Sequence, residues 1–185
     1  DAFLTLLGEG RLTMRIWRGS FIWSPDNLAA QLDALNTEKE RVRDIVAGDA
    51  GVAAMGPLLE VGYVKMMIDG VLSTYTALMH EPYADDPTAS PEPFISKDDL
   101  NDMVVAVHDA GWPVAIHAIG DQGVSWVLDA FENSPRGEGM AMDRIEHIEV
   151  ATPSDVKRFG ALGIAASMQP HHATCCVGDY VIDRI

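Results

Sequence analysis

Residues 113–121 read Pro-Val-Ala-Ile-His-Ala-Ile-Gly-Asp, and residues 144–150 read Arg-Ile-Glu-His-Ile-Glu-Val. Each is a short apolar run with a histidine, His117 or His147, near its C-terminal end. Between them Val124, Val127, Leu128 and Phe131 recur at helical spacing. Strand, helix, strand with an imidazole at each strand end is the βαβ unit of a parallel sheet, in which a crossover helix returns the chain to the same edge.

The same alternation extends in both directions. Gly10–Arg18 alternates with Leu12, Met14 and Ile16 on one face, which predicts a strand. Ser24-Pro-Asp-Asn gives helix-start signals, and Leu28, Leu32 and Leu35 lead on at helical spacing to Val42 and Ile45. Val61–Asp69 reads as a second strand, followed by a loop rich in Pro, Asp and Ser from Glu81 to Pro93, of a length that suits either a lid or a plain insertion. Ser96-Lys-Asp-Asp99 has the form of a capping box opening a helix with Leu100, Val104, Val107 and His108, which Gly111 ends. Pro113–Ala118 and Arg144–Val150 are the third and fourth strands. Thr152 caps a helix with Pro153 in its first turn, running through Val156, Phe159 and Leu162 to Gly163, and Ile164–Gln169 is the fifth strand.

Five strands alternating with four helical segments predict an α/β fold, a partial (β/α)8 TIM barrel of about five βα units in one domain over residues 1–185. A complete barrel takes roughly 250 residues, so its first strands and last strand are expected outside this stretch, which reads as an internal fragment. A doubly wound sheet is the competing architecture. No glycine-rich phosphate loop follows the first strand, which disfavours its dinucleotide-binding form.

Composition narrows the classes of partner. Hydrophobic residues at 48% and charged residues at 22% are globular values, and no apolar run approaches the roughly 20 residues that span a bilayer. Residues 1–9 lack the basic leader of a secretory signal, so a soluble, cytoplasmic protein is expected. Thirteen basic against 28 acidic residues give a net charge of −15, which repels phosphate backbones and anionic lipid. Neither nucleic acid nor a membrane is an expected partner. Cys175 and Cys176 are adjacent and cannot easily bridge each other; beside His171 and His172 they are either incidental thiols or part of a metal site of unfamiliar spacing.

The residues able to carry chemistry gather at strand ends. Alternation puts Lys65, Met67 and Asp69 on one face, where Lys65 is either neutralised by Asp69 or engaged with something else, because a lone buried ammonium is strongly disfavoured. His117 and His147 each read singly as a hydrogen-bonded rim residue. Together, in the same relative position on consecutive strands, they are able to share one metal ion. Glu146 is expected on the opposite face from His147, outward toward the helices, with Arg144 as its partner. Asp121 either orients His117 or caps the next helix, and Gln169 with His171 or His172 closes the last strand. His80 and His108 carry no such signal.

Taken in order, Val64-Lys-Met-Met-Ile-Asp-Gly70, Thr76-Ala-Leu, Glu81-Pro-Tyr83, His108-Asp-Ala-Gly-Trp, Ile116-His-Ala-Ile-Gly-Asp121, Arg144-Ile-Glu-His147 and Ser167-Met-Gln-Pro170 resemble the amidohydrolase 3 family, and more closely its branch that includes N-substituted formamide deformylase. The similarity runs from about Gly10 to the end. The resemblance implies a metal-dependent amidohydrolase on a (β/α)8 barrel, with zinc or a similar divalent ion, one or two per chain, cleaving a carbon–nitrogen amide-type bond other than a peptide bond in a small-molecule substrate. It implies ligands from a His-x-His pair on the first strand, a lysine on the fourth, histidines on the fifth and sixth, and an aspartate on the eighth. Lys65, His117 and His147 match the fourth, fifth and sixth positions, and Asp69, Asp121, Gln169 and His171 are expected to contact substrate. The sequence departs from the pattern in having no His-x-His and in ending at Ile185 before an eighth strand. Hydrolysis is therefore expected of the parent protein and not of this stretch alone. The alternative is a non-catalytic barrel remnant acting as an interaction or binding module, with its open strand edges covered by a second copy or by a partner chain.

Overall fold

The computed structural model describes residues 2–48, 58–134, 136–174 and 185. Helix α1 (Ala2–Gly8) precedes β1 (Ile16–Phe21), and α2 (Leu28–Gly48) crosses to β2 (Leu59–Met67). After a loop holding one 3-10 turn come α3 (Lys97–Asp109), β3 (Val114–Ala118), α4 (Asp121–Asn133), β4 (Arg144–His147), α5 (Pro153–Leu162), β5 (Ala165–Met168) and the short α6 (His171–Thr174). The five strands form one sheet in the order β1-β2-β3-β4-β5, every neighbouring pair parallel. Each crossover advances one strand in the same direction, as in a barrel wall; a doubly wound sheet reverses its order at a switch point, and this one does not. The α/β architecture of a partial (β/α)8 barrel is what the chain adopts.

Local chemistry explains the helix starts. Ser96 Oγ accepts from the Asp99 amide at 3.1 Å and donates to the Asp99 carboxylate at 2.7 Å, a reciprocal cap made with aspartate in place of glutamate. Thr152 Oγ1 does the same for α5, accepting from the Asp155 amide at 3.1 Å, with Pro153 at the first helical position and Gly163 left-handed at the end. The face of the sheet that meets the helices is apolar: Val64, Met66, Ile68, Val114, Ile116, Ala118 and Ile145 are all buried. Against it pack Leu100, Met103, Val104 and Val107 of α3 and Val124, Val127, Leu128 and Phe131 of α4, spaced to share one helical face.

Two strands depart by more than two residues from the sequence expectation, while β2 is shifted by two. The alternation over Gly10–Arg18 does not make the first strand, which begins at Ile16, where it meets Leu59, and runs on to Phe21. Met14 lies ahead of that pairing and is exposed. The fourth strand stops at His147 instead of Val150, because His147 and Ile148 take left-handed backbone angles, φ +78 and +55. Cys175 and Cys176 lie outside the described residues. No helix among the described residues is long and apolar enough to cross a membrane.

Candidate metal centre

The face of the sheet turned away from the helices carries the chemistry. Lys65 pairs in register with Ala115 and Ala115 with Arg144, while Met67 pairs with His117 and His117 with Glu146. These residues therefore share one face, since parallel partners point the same way. Glu146 lies here beside His117, not outward against the helices as alternation from His147 suggested. The reversal has a local cause. By register His147 belongs to the other face, next to Ala118, yet its ring centroid lies 4.5 Å from that of His117. The left-handed backbone at residue 147 turns the imidazole onto the polar side, at a cost of about 1–2 kcal/mol for a residue with a Cβ. Strain of this kind persists only where surrounding contacts enforce it, and it concentrates at functional sites.

The hydrogen bonds fix which ring nitrogen is free on each histidine. His117 Nε2 donates to the Gly70 carbonyl at 2.9 Å, with Asp69 Oδ1 at 3.5 Å, which leaves Nδ1 with its lone pair. His147 Nδ1 donates to Gln169 Oε1 at 2.8 Å, which leaves Nε2. Each ring is thus oriented by a backside acceptor, the arrangement that prepares an imidazole to bind a metal. His117 is 6% exposed, and burial pushes its pKa down to about 4, so the ring is neutral near pH 7.

Lys65 completes the group. Its Nζ is buried without a hydrogen-bond partner among the described residues, and burial lowers the amine's pKa to about 8. Lys65, Arg144, Glu146 and His147 line one cavity of about 350 Å³, walled also by Tyr63 and Phe21. Asp69 does not neutralise the amine. It lies beyond the strand end, fully buried, where its carboxylate accepts from the amides of Leu78 at 3.0 Å, Ile119 at 3.0 Å and Gly120 at 2.9 Å. Burial raises its pKa to about 6 against the effect of those three donors. Its function in the geometry is to clamp the loop after β3 to the loop after β2, beneath His117. Gly120 is required at this junction, since a Cβ there would stand 2.0 Å from the Leu78 carbonyl oxygen.

The other residues singled out in the sequence fall into distinct places. Asp121 neither caps α4 nor orients His117: Gly120 is the cap residue, and Asp121 Oδ1 accepts from the His80 amide at 2.9 Å. Gln169 reaches the site through His147. His171 is exposed, its ring 4.3 Å from that of His172. His172, which sequence reasoning did not favour over its neighbour, is the one stacked on His147, at 6.1 Å and 5° between planes, and its Nδ1 meets Glu149 Oε1 at 2.8 Å. Glu149 was not singled out at all. Placed on the far side of the kink at residues 147–148, it gives no sequence signal that separates it from an ordinary strand residue. Among the described residues no three His, Cys, Asp or Glu side chains come together as a metal site; the cluster is two imidazoles and one amine.

A model of the amidohydrolase family matches residues 1–185. The chain belongs to the amidohydrolase family. It is 35% identical over 130 residues to the putative amidohydrolase YtcJ of Bacillus subtilis, covering 70% of this chain and 24% of YtcJ. It is 38% identical over 116 residues to the LONG AFTER FAR-RED 3 protein of Arabidopsis thaliana, covering 62% of this chain and 20% of that protein. An uncharacterized metal-dependent hydrolase of Pyrococcus furiosus superposes on 100% of this chain with a TM-score of 0.75 and 32% identity, and one from Pyrococcus horikoshii does so with 0.71 and 26%. This amidohydrolase chain spans 34% and 33% of those two structures.

Proposed function

We propose that the protein acts as a metal-dependent hydrolase of carbon–nitrogen amide-type bonds in small molecules, and that Lys65, His117 and His147 belong to its ion site. One observation carries the reading. Two imidazoles with ring centroids 4.5 Å apart each have one nitrogen committed to a backside acceptor, and the cavity that His147 lines also holds a buried amine with no hydrogen-bond partner among the described residues. A divalent cation suits that donor set: neutral imidazole nitrogens are common ligands, and an unpartnered amine is accounted for once it faces an ion or is converted to an anionic ligand. Zinc is the ion we favour.

When bound, the ion supplies acidity to a coordinated water and polarises the scissile carbonyl. The chain's own residues do the rest of the work described here. Gly70 and Gln169 hold the two rings in the required tautomers, Asp69 fixes the Gly120 turn under His117, and the strained backbone at His147 presents its ring to the cavity. Two imidazoles and one amine are fewer donors than the four of a closed zinc site, so the working centre takes further ligands and a proton-transferring carboxylate from elsewhere in the protein. The 185-residue chain alone is accordingly proposed to bind metal weakly and to turn over little. The reading includes a cytoplasmic location and no nucleic-acid or membrane partner. Exposed Trp17 and Phe21 on β1 and Met168 on β5 favour a second reading of this stretch alone, in which its open edges pair with another copy.

The test is metal analysis of the whole protein together with hydrolysis of a panel of N-substituted formamides and other amides. One or two divalent ions per chain, lost with activity in His147→Ala, are expected. Retention of both by that variant would overturn the reading.

A further inference from the structure

The end of β1 holds two large rings open beside the cavity. Ile22 is 2% exposed and its amide donates to the Lys65 carbonyl at 2.9 Å, so the backbone here is still bound to β2, and alternation turns residues 21 and 23 to the side away from the helices. Both side chains are found there. Phe21 lies in register with Lys65 and lines the cavity of about 350 Å³ that Lys65 and His147 share; Trp23 stacks on Phe21, with ring centroids 4.6 Å apart and 7° between planes. Yet Phe21 is 49% exposed and Trp23 60%. Two stacked rings left open next to a cavity mark a place where another flat apolar group gains by covering them. The charges of the cavity narrow what that group is. Arg144 Nε donates to one oxygen of Glu146 and Ser167 Oγ to the other, and the Arg144 guanidinium lies 4.0 Å from the Tyr63 ring centroid. Among the described residues lining the cavity, the charged group left without a hydrogen bond is the Lys65 amine, which is assigned to the ion. A substrate carboxylate or ammonium at this end finds no free counter-charge, whereas an uncharged ring finds Phe21 and Trp23.

Resting on the hydrolase reading of this face, we propose that Phe21 and Trp23 form the subsite for the variable part of the substrate, and that this part is an uncharged, flat apolar substituent on the amide. Phe21 is the inner wall, level with Lys65. Trp23 is the outer one, and its exposed ring extends the stack to the substituent. The pair contributes binding and orientation, not chemistry: it holds the substituent at the edge of the cavity so that the amide group lies toward His147 and Lys65. A cavity of about 350 Å³ is of the size that takes such a group, since small-molecule sites run from roughly 300 to 1,000 Å³.

The experiment uses the whole zinc-loaded protein and has two readouts. In the first, acrylamide quenching of Trp23 fluorescence, taken as wild type minus Trp23→Phe, is measured with and without N-benzylmethanesulfonamide, which has the outline of an aromatic amide and no hydrolysable carbonyl. Trp23 is expected to be open to acrylamide in the free protein and shielded by this probe, but not by N-methylmethanesulfonamide. A Trp23 already shielded in the free protein, by a second copy or by another part of the chain, overturns the proposal, and so does a probe that leaves quenching unchanged. In the second readout, kcat/KM is compared for N-benzylacetamide and N-methylacetamide. The preference for the benzyl compound is expected to fall about 10- to 100-fold in Trp23→Ala and in Phe21→Ala and to be largely restored in Trp23→Phe, whereas a merely structural role of the rings would lower both amides alike. Hydrolysis of both amides with the preference unchanged in Trp23→Ala leaves the hydrolase reading standing and overturns the subsite. Hydrolysis of neither, with shielding of Trp23 intact, overturns the hydrolase reading and keeps the ring-binding site.

Discussion

The two faces of the sheet obey different rules. Toward the helices, Val64, Met66, Val114, Ile116 and Ile145 are buried and apolar, and none of them takes a left-handed backbone angle. On the other face Tyr63, Lys65, His117, Arg144, Glu146 and Ser167 lie together, with a strained residue at the strand end and an amine that has no hydrogen-bond partner among the described residues. A sheet that needed only to fold would gain by treating both faces like the first. The second face spends stability on arrangement, which is the pattern expected where function sets the residues.

Substitutions sharpen that contrast. Ile116→Ala on the helix side should cost about 2–5 kcal/mol in denaturant unfolding, since the side chain is fully buried in a packed layer. Lys65→Met on the other face should do the opposite at pH 7, raising thermal stability while abolishing the amine's part in metal binding. Its advantage should shrink toward pH 10. The amine's pKa is about 8 folded and 10.5 unfolded, so between those values the unfolded chain holds the proton that the folded one has lost, and wild-type stability climbs with pH. A Lys65→Met protein less stable than wild type at pH 7 would break the contrast.

A smaller effect distinguishes His117. In metal-free protein its folded pKa is about 4 against 6.5 unfolded, so the unfolded state gains the proton first and stability falls as pH drops from 6.5 to 4. Asp69, raised to about 6, works the other way over the same range, gaining its proton more readily when folded. The net slope of the wild type is therefore shallow, and the comparison with His117→Gln isolates the imidazole: unfolding measured across pH 4–6.5 should show the variant losing less stability on acidification. Smallest of all, Thr152→Ala should cost about 1 kcal/mol by removing the cap of α5, with zinc affinity unchanged.

Much of the helical layer was legible in the sequence because its signals are local. Ser96 and Asp99, or Thr152, Pro153 and Asp155, lie within one turn of each other, and their bonds follow from spacing. The placement of β1 was not, since alternation at Leu12, Met14 and Ile16 cannot say where β2 begins to pair. Lys65, His117 and His147 were readable as a group from their strand positions. The orientation of Glu146 was not, because strict alternation from His147 presumes extended backbone through a residue that is left-handed. One signal could have corrected it. Ile145 is the only apolar side chain among residues 144–147, so it must face the helices, and period two then turns Arg144 and Glu146 the other way.

The most direct measurement is the anomalous diffraction peak of zinc in a crystal of the whole protein. The geometry requires the ion within about 2.0–2.1 Å of Nδ1 of His117 and Nε2 of His147, because Gly70 and Gln169 hold the other two ring nitrogens. A peak seated away from both rings, or bound through Nε2 of His117 or Nδ1 of His147, would contradict the account at its centre.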